Sequence, residues 1–95
     1  MSLQTFSEKL KQRRSQMLIH SYIYYHLDTN IISDHQWQDW ADELTEMQSQ
    51  YPQLTNIGFY DKGFSDWNGS TGMHLPVDGW IRDKAQRLLD KHLKM

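Results

Sequence analysis

The chain has 95 residues, 38% of them hydrophobic, a formal net charge of −2 and no cysteine. That length fits one small domain, rules out disulfide or thiolate-metal support, and limits burial to about 60% of the unfolded surface. No apolar run approaches the roughly 20 residues of a membrane span and no signal-like apolar segment is present, so the cytoplasm is the expected compartment.

Four Trp, five Tyr and three Phe must supply much of the core, each ring bringing roughly 150–250 Å². Self-association is a further source of stability open to so small a domain. Charge is unevenly placed. No Lys or Arg occurs between Ser15 and Asp61, while Asp28, Asp34, Asp39, Asp42, Glu43, Glu46 and Asp61 fall in that stretch. Lys9, Lys11, Arg13 and Arg14 precede it, and Arg82, Lys84, Arg87, Lys91 and Lys94 follow. The pattern predicts acidic and basic helices that attract one another at the surface. It does not form the sustained basic patch that nucleic acid requires.

A first helix is predicted over 5–27. Thr5-Phe6-Ser7-Glu8 has the form of a capping box, and Phe6, Leu10, Met17, Leu18, Tyr22 and Tyr25 recur at helical spacing. Arg13 and Arg14 interrupt that stripe. The more apolar half, Met17 to Leu27, is expected to be packed and the first turns more open. Asp28-Thr29-Asn30 reads as the exit, with Ile31 and Ile32 pinning the connector to the core.

A second helix is predicted over 34–51. Ser33-Asp34-His35-Gln36 is another capping pattern, with Ser33 or Asp34 as the cap. Trp37, Trp40, Ala41, Leu44, Met47 and Tyr51 make one apolar stripe, and Pro52 limits continuation. Residues 56–75 mix Gly58, Gly63, Gly69 and Gly72 with Phe59, Tyr60, Phe64, Trp67 and Met73. They read as an irregular aromatic wrap with a tight turn at Asn68-Gly69, a short β-hairpin being the alternative. A third helix is predicted over 77–93, its apolar side formed by Val77, Trp80 or Ile81, Ala85, Leu88, Leu89 and His92 or Leu93. Asp83–Arg87 and Asp90–Lys94 are acid-base pairs at i,i+4. The expected fold is a single all-α domain over 1–95: an antiparallel helical hairpin and a third helix, joined by the wrap.

Candidate chemistry is sparse. The five histidines do not pair at i,i+4 and no His-Glu-x-x-His occurs, so no metal site is expected. No serine has a nucleophile-elbow setting. Gly69-Ser70-Thr71-Gly72 lacks the lysine and the glycine offsets of a phosphate loop, and reads as a turn that folds back over the core. Asp66-Trp67-Asn68-Gly69 fails the calcium-loop spacing. The rings of Tyr22, Tyr24, Tyr25, Trp37 and Trp40 gather near one helix junction. Tyr22 and Tyr25 share a helix face, whereas Tyr24 points elsewhere. A tyrosine beside a capped helix start is suited to stack on a flat ring and offer it a hydroxyl.

From His20 to Leu54 the chain resembles the small N-terminal helical domain (Ia) of bacterial NAD-dependent DNA ligases, which grips the nicotinamide end of NAD. Tyr24-Tyr25 match the family's residue pair at the end of its first helix. Asp34, after Ile32-Ser33, matches its aspartate, and Tyr51-Pro52-Gln53-Leu54 is similar to its proline-containing exit. Where the family has a tyrosine followed by an aspartate, this chain has Trp37 and Gln38. Trp37 keeps a stacking surface with a displaced donor, and Gln38 hydrogen-bonds without a carboxylate charge. The resemblance implies a ligand site at Tyr24, Tyr25, Asp34, Trp37 and Gln38. It also implies a free-standing relative of the phage or prophage type. The lysine of the ligase motif Lys-x-Asp-Gly is missing, because Pro76 stands two residues before Asp78-Gly79.

The expected function is a non-catalytic binding or adaptor module on a ligase Ia-like scaffold, with a protein partner and no bound cofactor. The alternatives are binding of NAD, nicotinamide mononucleotide or a similar planar ligand, and modulation of a host NAD-dependent DNA ligase in trans.

Overall fold

Helix α1 runs Leu3–His26, α2 runs Asp34–Gln50, a 3₁₀ turn covers Pro52–Leu54, and α3 runs Gly79–Leu93. The structure, a computed structural model, describes residues 3–93, with side chains from Thr5 on. Among the described residues there is no strand, so the fold is all-α and the β-hairpin alternative is not formed. No described helix is long and apolar enough to cross a membrane.

Contacts between α1 and α2 run in opposite chain order, which makes the pair an antiparallel hairpin. His20 meets Trp40 at 5.4 Å and Phe6 meets Tyr51 at 5.3 Å between ring centroids. Between them Arg13 and Lys9 both reach Glu43, at 3.1 and 2.8 Å. That is the expected attraction of a basic helix for an acidic one. Helix α1 also packs against α3. With neighbours on two sides, it buries Phe6, Leu10, Met17, Leu18 and Ile23 around much of its girth.

Two expectations for α1 need correction. The helix is already formed at Leu3, so Thr5 lies within its first turn and is not its cap. The early turns are not open either: Phe6 and Leu10 are core residues, because the returning end of α2 places Tyr51 against Phe6. Near the other end, within the half expected to be packed, Tyr24 and His26 are exposed. The helix stops where Asp28 turns left-handed (φ 52°), a conformation that short polar side chains tolerate. There Thr29 N–H donates back to Ile23 O at 3.3 Å.

Ser33 caps α2, its Oγ accepting from Gln36 N–H at 3.0 Å, while Asp34 occupies the first turn near the positive end of the helix dipole. Ala41 and Leu44 are buried, with Trp37, Trp40 and Met47 packed around them. Helix α3 starts at Gly79 rather than 77, since the Asp78 carboxylate accepts from Ile81 N–H at 2.9 Å and so caps it. Ile81 and Ala85 enter the core; Trp80 and Leu93 stay exposed. Asp83 pairs with Arg87 at 3.1 Å, and the expected Asp90–Lys94 pair ends outside the described residues.

The wrap between the 3₁₀ turn and α3 is held mainly by side chains. Arg14 does not merely interrupt the α1 stripe; it is 1% exposed and organises the wrap from within. Its guanidinium donates to Gln48 Oε1 from Nε and Nη2, to Phe59 O and Asp61 Oδ1 from Nη1, and to Thr55 O from Nη2, all within 3.1 Å. Every guanidinium N–H is thereby used. Backbone carbonyls that have no helix or sheet partner take their hydrogen bonds from this buried cation. Burial pushes the guanidinium below its ordinary value, opposed by the hydrogen bond and charge of Asp61.

Candidate functional site

At the connector end of the hairpin the exit of α1 and the start of α2 enclose a cavity of about 190 Å³. Its walls follow from helix periodicity. His20 and Tyr24 lie one turn apart on α1, with Tyr25 beside them, and Asp34, Trp37 and Gln38 lie at i, i+3 and i+4 on α2. Asn30 closes the connector side. Tyr24, Tyr25, Asp34, Trp37 and Gln38, the five residues singled out from the sequence, are thus brought together around one space. His20 and Asn30 complete the lining and were not among them. The i−4 spacing of His20 from Tyr24 is the signal that points to it.

Tyr24 is 49% exposed at the rim and meets the Tyr25 ring edge-on, with centroids 4.9 Å apart. Tyr25 lies deeper, and its hydroxyl is hydrogen-bonded to Thr71 Oγ1 at 3.1 Å. Trp37 turns its indole N–H inward to Ser21 Oγ at 3.3 Å, so it presents ring surface rather than a donor. Gln38 donates its amide hydrogens to Asp42 Oδ1 (2.8 Å) and to Gly69 O (3.1 Å). Both partners are pure acceptors, which fixes the amide orientation and leaves the Gln38 carbonyl oxygen as the group able to accept from a ligand.

The wrap buttresses the site from behind. Gly69 takes φ +80°, and a Cβ there would lie 2.6 Å from Thr45 Oγ1. The tight turn expected at Asn68-Gly69 is present, with Asn68 Oδ1 accepting from Ser70 N–H at 2.9 Å. Gly72 sits against Ser21 and Trp37, where a Cβ would come within 2.1 Å of Ser21 Oγ. Glycine is needed here for close approach. The 69–72 segment folds back onto the site helices, as a turn rather than a phosphate loop.

The electrostatics are acidic to neutral. Asp34 supplies a carboxylate, and the lining includes no Lys or Arg. Burial against Trp40 pushes the His20 imidazole down to about 4, so it is neutral near pH 7. Among the described residues no group of three or more His, Asp or Glu is placed to hold a metal ion. The larger groove beside Arg14, Gln48 and Asp61 has these polar groups bonded to one another.

Comparison with known proteins gives one family. Residues 3–57 match the family described as DNA ligase-like, N-terminal NAD+-binding domain. No curated protein and no solved structure matches the chain. The match takes in more than half of the chain: α1, the connector, α2 and every residue lining the cavity. On that extent, this chain belongs to the DNA ligase-like, N-terminal NAD+-binding domain family.

Proposed function

We propose that the chain binds the nicotinamide end of NAD+, or a closely similar planar ring, in the cavity between the α1 exit and the α2 start, as a binding module without chemistry of its own. The observation that carries this is the convergence of Tyr24, Tyr25, Trp37, Asp34 and Gln38 on one cavity within the family match. Aromatic surfaces suit a flat ring, the Asp34 carboxylate suits its positive charge, and the Gln38 carbonyl oxygen suits a carboxamide donor. When bound, the nicotinamide nucleotide would bring the reactive phosphate bond to whatever nucleophile a catalytic partner supplies. These residues hold and orient the ring, and Lys-x-Asp-Gly is absent from the sequence.

Titration with NAD+ and with nicotinamide mononucleotide, followed by Trp fluorescence and by backbone amide shifts, tests the assignment. Saturable changes at Trp37 and the start of α2 are expected, weakened in Tyr24→Ala. Absence of any change at millimolar ligand would sink it.

A protein-docking role is a second reading, favoured by Trp80. It is 40% exposed and clusters with Phe59 and Tyr60 away from the cavity lining. Trp80→Ala should then abolish a specific interaction recovered from the host. A phage or prophage origin belongs to the same reading, and gene neighbourhood tests it.

A further inference from the structure

Away from the cavity, Phe59, Tyr60 and Trp80 form a ring cluster where the wrap meets the start of α3. Resting on the protein-docking reading of Trp80, and independent of the nicotinamide one, we propose that this cluster docks an acidic segment of another protein. Carboxylates of that segment meet Lys11 and Lys84, and one aromatic or aliphatic side chain packs on the rings.

The cluster is held in place by unusual means. Tyr60 takes φ 55°, a left-handed conformation that is an outlier for a bulky side chain. Its hydroxyl donates to Asp78 Oδ2 at 2.5 Å, and the same carboxylate caps α3 through Ile81 N–H. That bond ties the wrap to the helix start, two residues before Trp80. Phe59 and Trp80 then meet edge-on at 5.8 Å, with Tyr60 6.2 Å from Trp80. Trp80 stays exposed, and among the described residues its indole N–H has no hydrogen-bond partner. A surface tryptophan with its donor free is suited to anchor an interface.

Charge identifies the occupant. Lys9, Arg13, Arg14 and Arg87 each lie within 3.1 Å of a carboxylate of this chain. Among the described residues Lys11 and Lys84 have no such partner. Their ammonium groups lie over the rings instead, Lys11 at 5.2 Å from Phe59 and Lys84 at 6.0 Å from Trp80. Neighbouring acids are committed elsewhere: Asp78 to Tyr60 and Ile81, and Asp83 to Arg87. Glu8, one turn before Lys11, is not free either. Two ammonium groups and an N–H donor around an apolar surface suit carboxylates that flank an anchor side chain.

The same features disfavour other occupants. A second copy docking through the same patch would set these lysines against each other. For nucleic acid, the rings lack a parallel platform on which successive bases stack. Phe59 stands at 83° to Tyr60 and 86° to Trp80, and the lysines cover ring faces. The formal net charge of −2 also opposes a polyanion.

The test selects a display library of random peptides on the immobilised full chain and synthesises the enriched sequences. These should carry Asp or Glu around one aromatic or Leu residue, and should shift the Trp80 indole and Tyr60 amide resonances. Affinity should fall at least about tenfold in Trp80→Ala and in the double variant Lys11→Glu/Lys84→Glu. All three positions are exposed, and amide spectra of the variants check that the fold is kept. Binding should weaken as salt rises, and Lys84→Arg should retain it. Enrichment of basic or uncharged peptides that still need Trp80, or of acidic peptides indifferent to the double charge reversal, would overturn the acidic partner while the docking reading stands. Tighter binding of an oligothymidylate strand at these residues would replace that partner with nucleic acid. Self-association in sedimentation that the double variant abolishes would replace it with a second copy. No enrichment would overturn both the acidic partner and the docking reading, leaving the nicotinamide reading to its own titration.

Discussion

Tyr25 and Thr71 share a 3.1 Å hydrogen bond across 46 positions of chain, joining the exit of α1 to the wrap. The bond links a residue of the cavity wall to a segment beyond the family match, which ends at residue 57. Gly69 O, which accepts from Gln38, and Gly72, which lies against Trp37, belong to the same segment. The cavity is therefore set by two layers: helix ends that carry the lining, and a wrap that fixes how they face it.

Thr71→Val should leave the fold intact and loosen Tyr25. Loss of one partly buried hydrogen bond costs about 0.5–1.5 kcal/mol, so urea unfolding should shift modestly. Ligand affinity should fall severalfold, with Thr71→Ser restoring it. A variant equal to wild type in affinity would show that the bond has no part in positioning Tyr25.

Leu44→Ala and Tyr24→Ala separate core from site. Leu44 is fully buried, so truncation should cost roughly 2–5 kcal/mol in chemical denaturation. Tyr24 is 49% exposed, and its loss should cost well under that while weakening ligand binding. Equal destabilisation would make Tyr24 a packing residue only.

Arg14→Met should be among the most damaging single changes, at about 3–5 kcal/mol, because Asp61, Phe59 O and Thr55 O lose the cation that bonds them. Arg14→Lys should not rescue it, since an ammonium cannot span Gln48, Asp61, Phe59 and Thr55 together. Near-native denaturation curves for either variant would contradict the organising role of Arg14.

These cases also show where sequence reading stops. The start of α2 is legible in Ser33–Gln36 because capping is local chemistry, and the stripe from Trp37 to Met47 is legible because helix periodicity is local too. The five candidate residues come as a group from the resemblance to the ligase Ia domain, and they line one cavity because they sit on two helix ends joined by a short connector. Arg14 reads as an interruption of a stripe, because its partners lie 34 to 47 residues away. Thr71 and Gly72 read as loop residues for the same reason. Nothing in the local pattern says that a wrap returns to the hairpin's connector end. The burial of Phe6 is hidden likewise, as it depends on where the far end of α2 comes to rest.

Gly72→Ala should destabilise by about 1–3 kcal/mol through overpacking, since the new methyl would fall 2.1 Å from Ser21 Oγ. Ser21→Gly combined with Gly72→Ala should recover part of the loss. Thermal unfolding of the two single variants and the double variant measures the coupling. Strict additivity would mean that the clash is relieved by backbone movement rather than carried by Ser21.

Stability should fall with acid in two stages, each with its own sign. His20 is held at about 4 in the folded chain by burial, against about 6.5 when unfolded. Between those values the unfolded chain binds the extra proton, so the contribution of His20 is complete above pH 6.5 and is lost as pH falls toward 4. Asp61 acts at lower pH. Burial pushes its carboxyl up, but hydrogen bonds from Arg14 and from the Gly58 and Ile57 amides outweigh that and hold it below the usual range. Its contribution is present above the unfolded carboxylate value near about 3.9 and disappears below it. Denaturation midpoints measured from pH 7 to pH 3 should thus decline first through the His20 window. His20→Gln should flatten that upper stage while leaving the lower one, whereas Asp61→Asn should reduce the lower one. An unchanged upper stage in His20→Gln would assign the decline to another group.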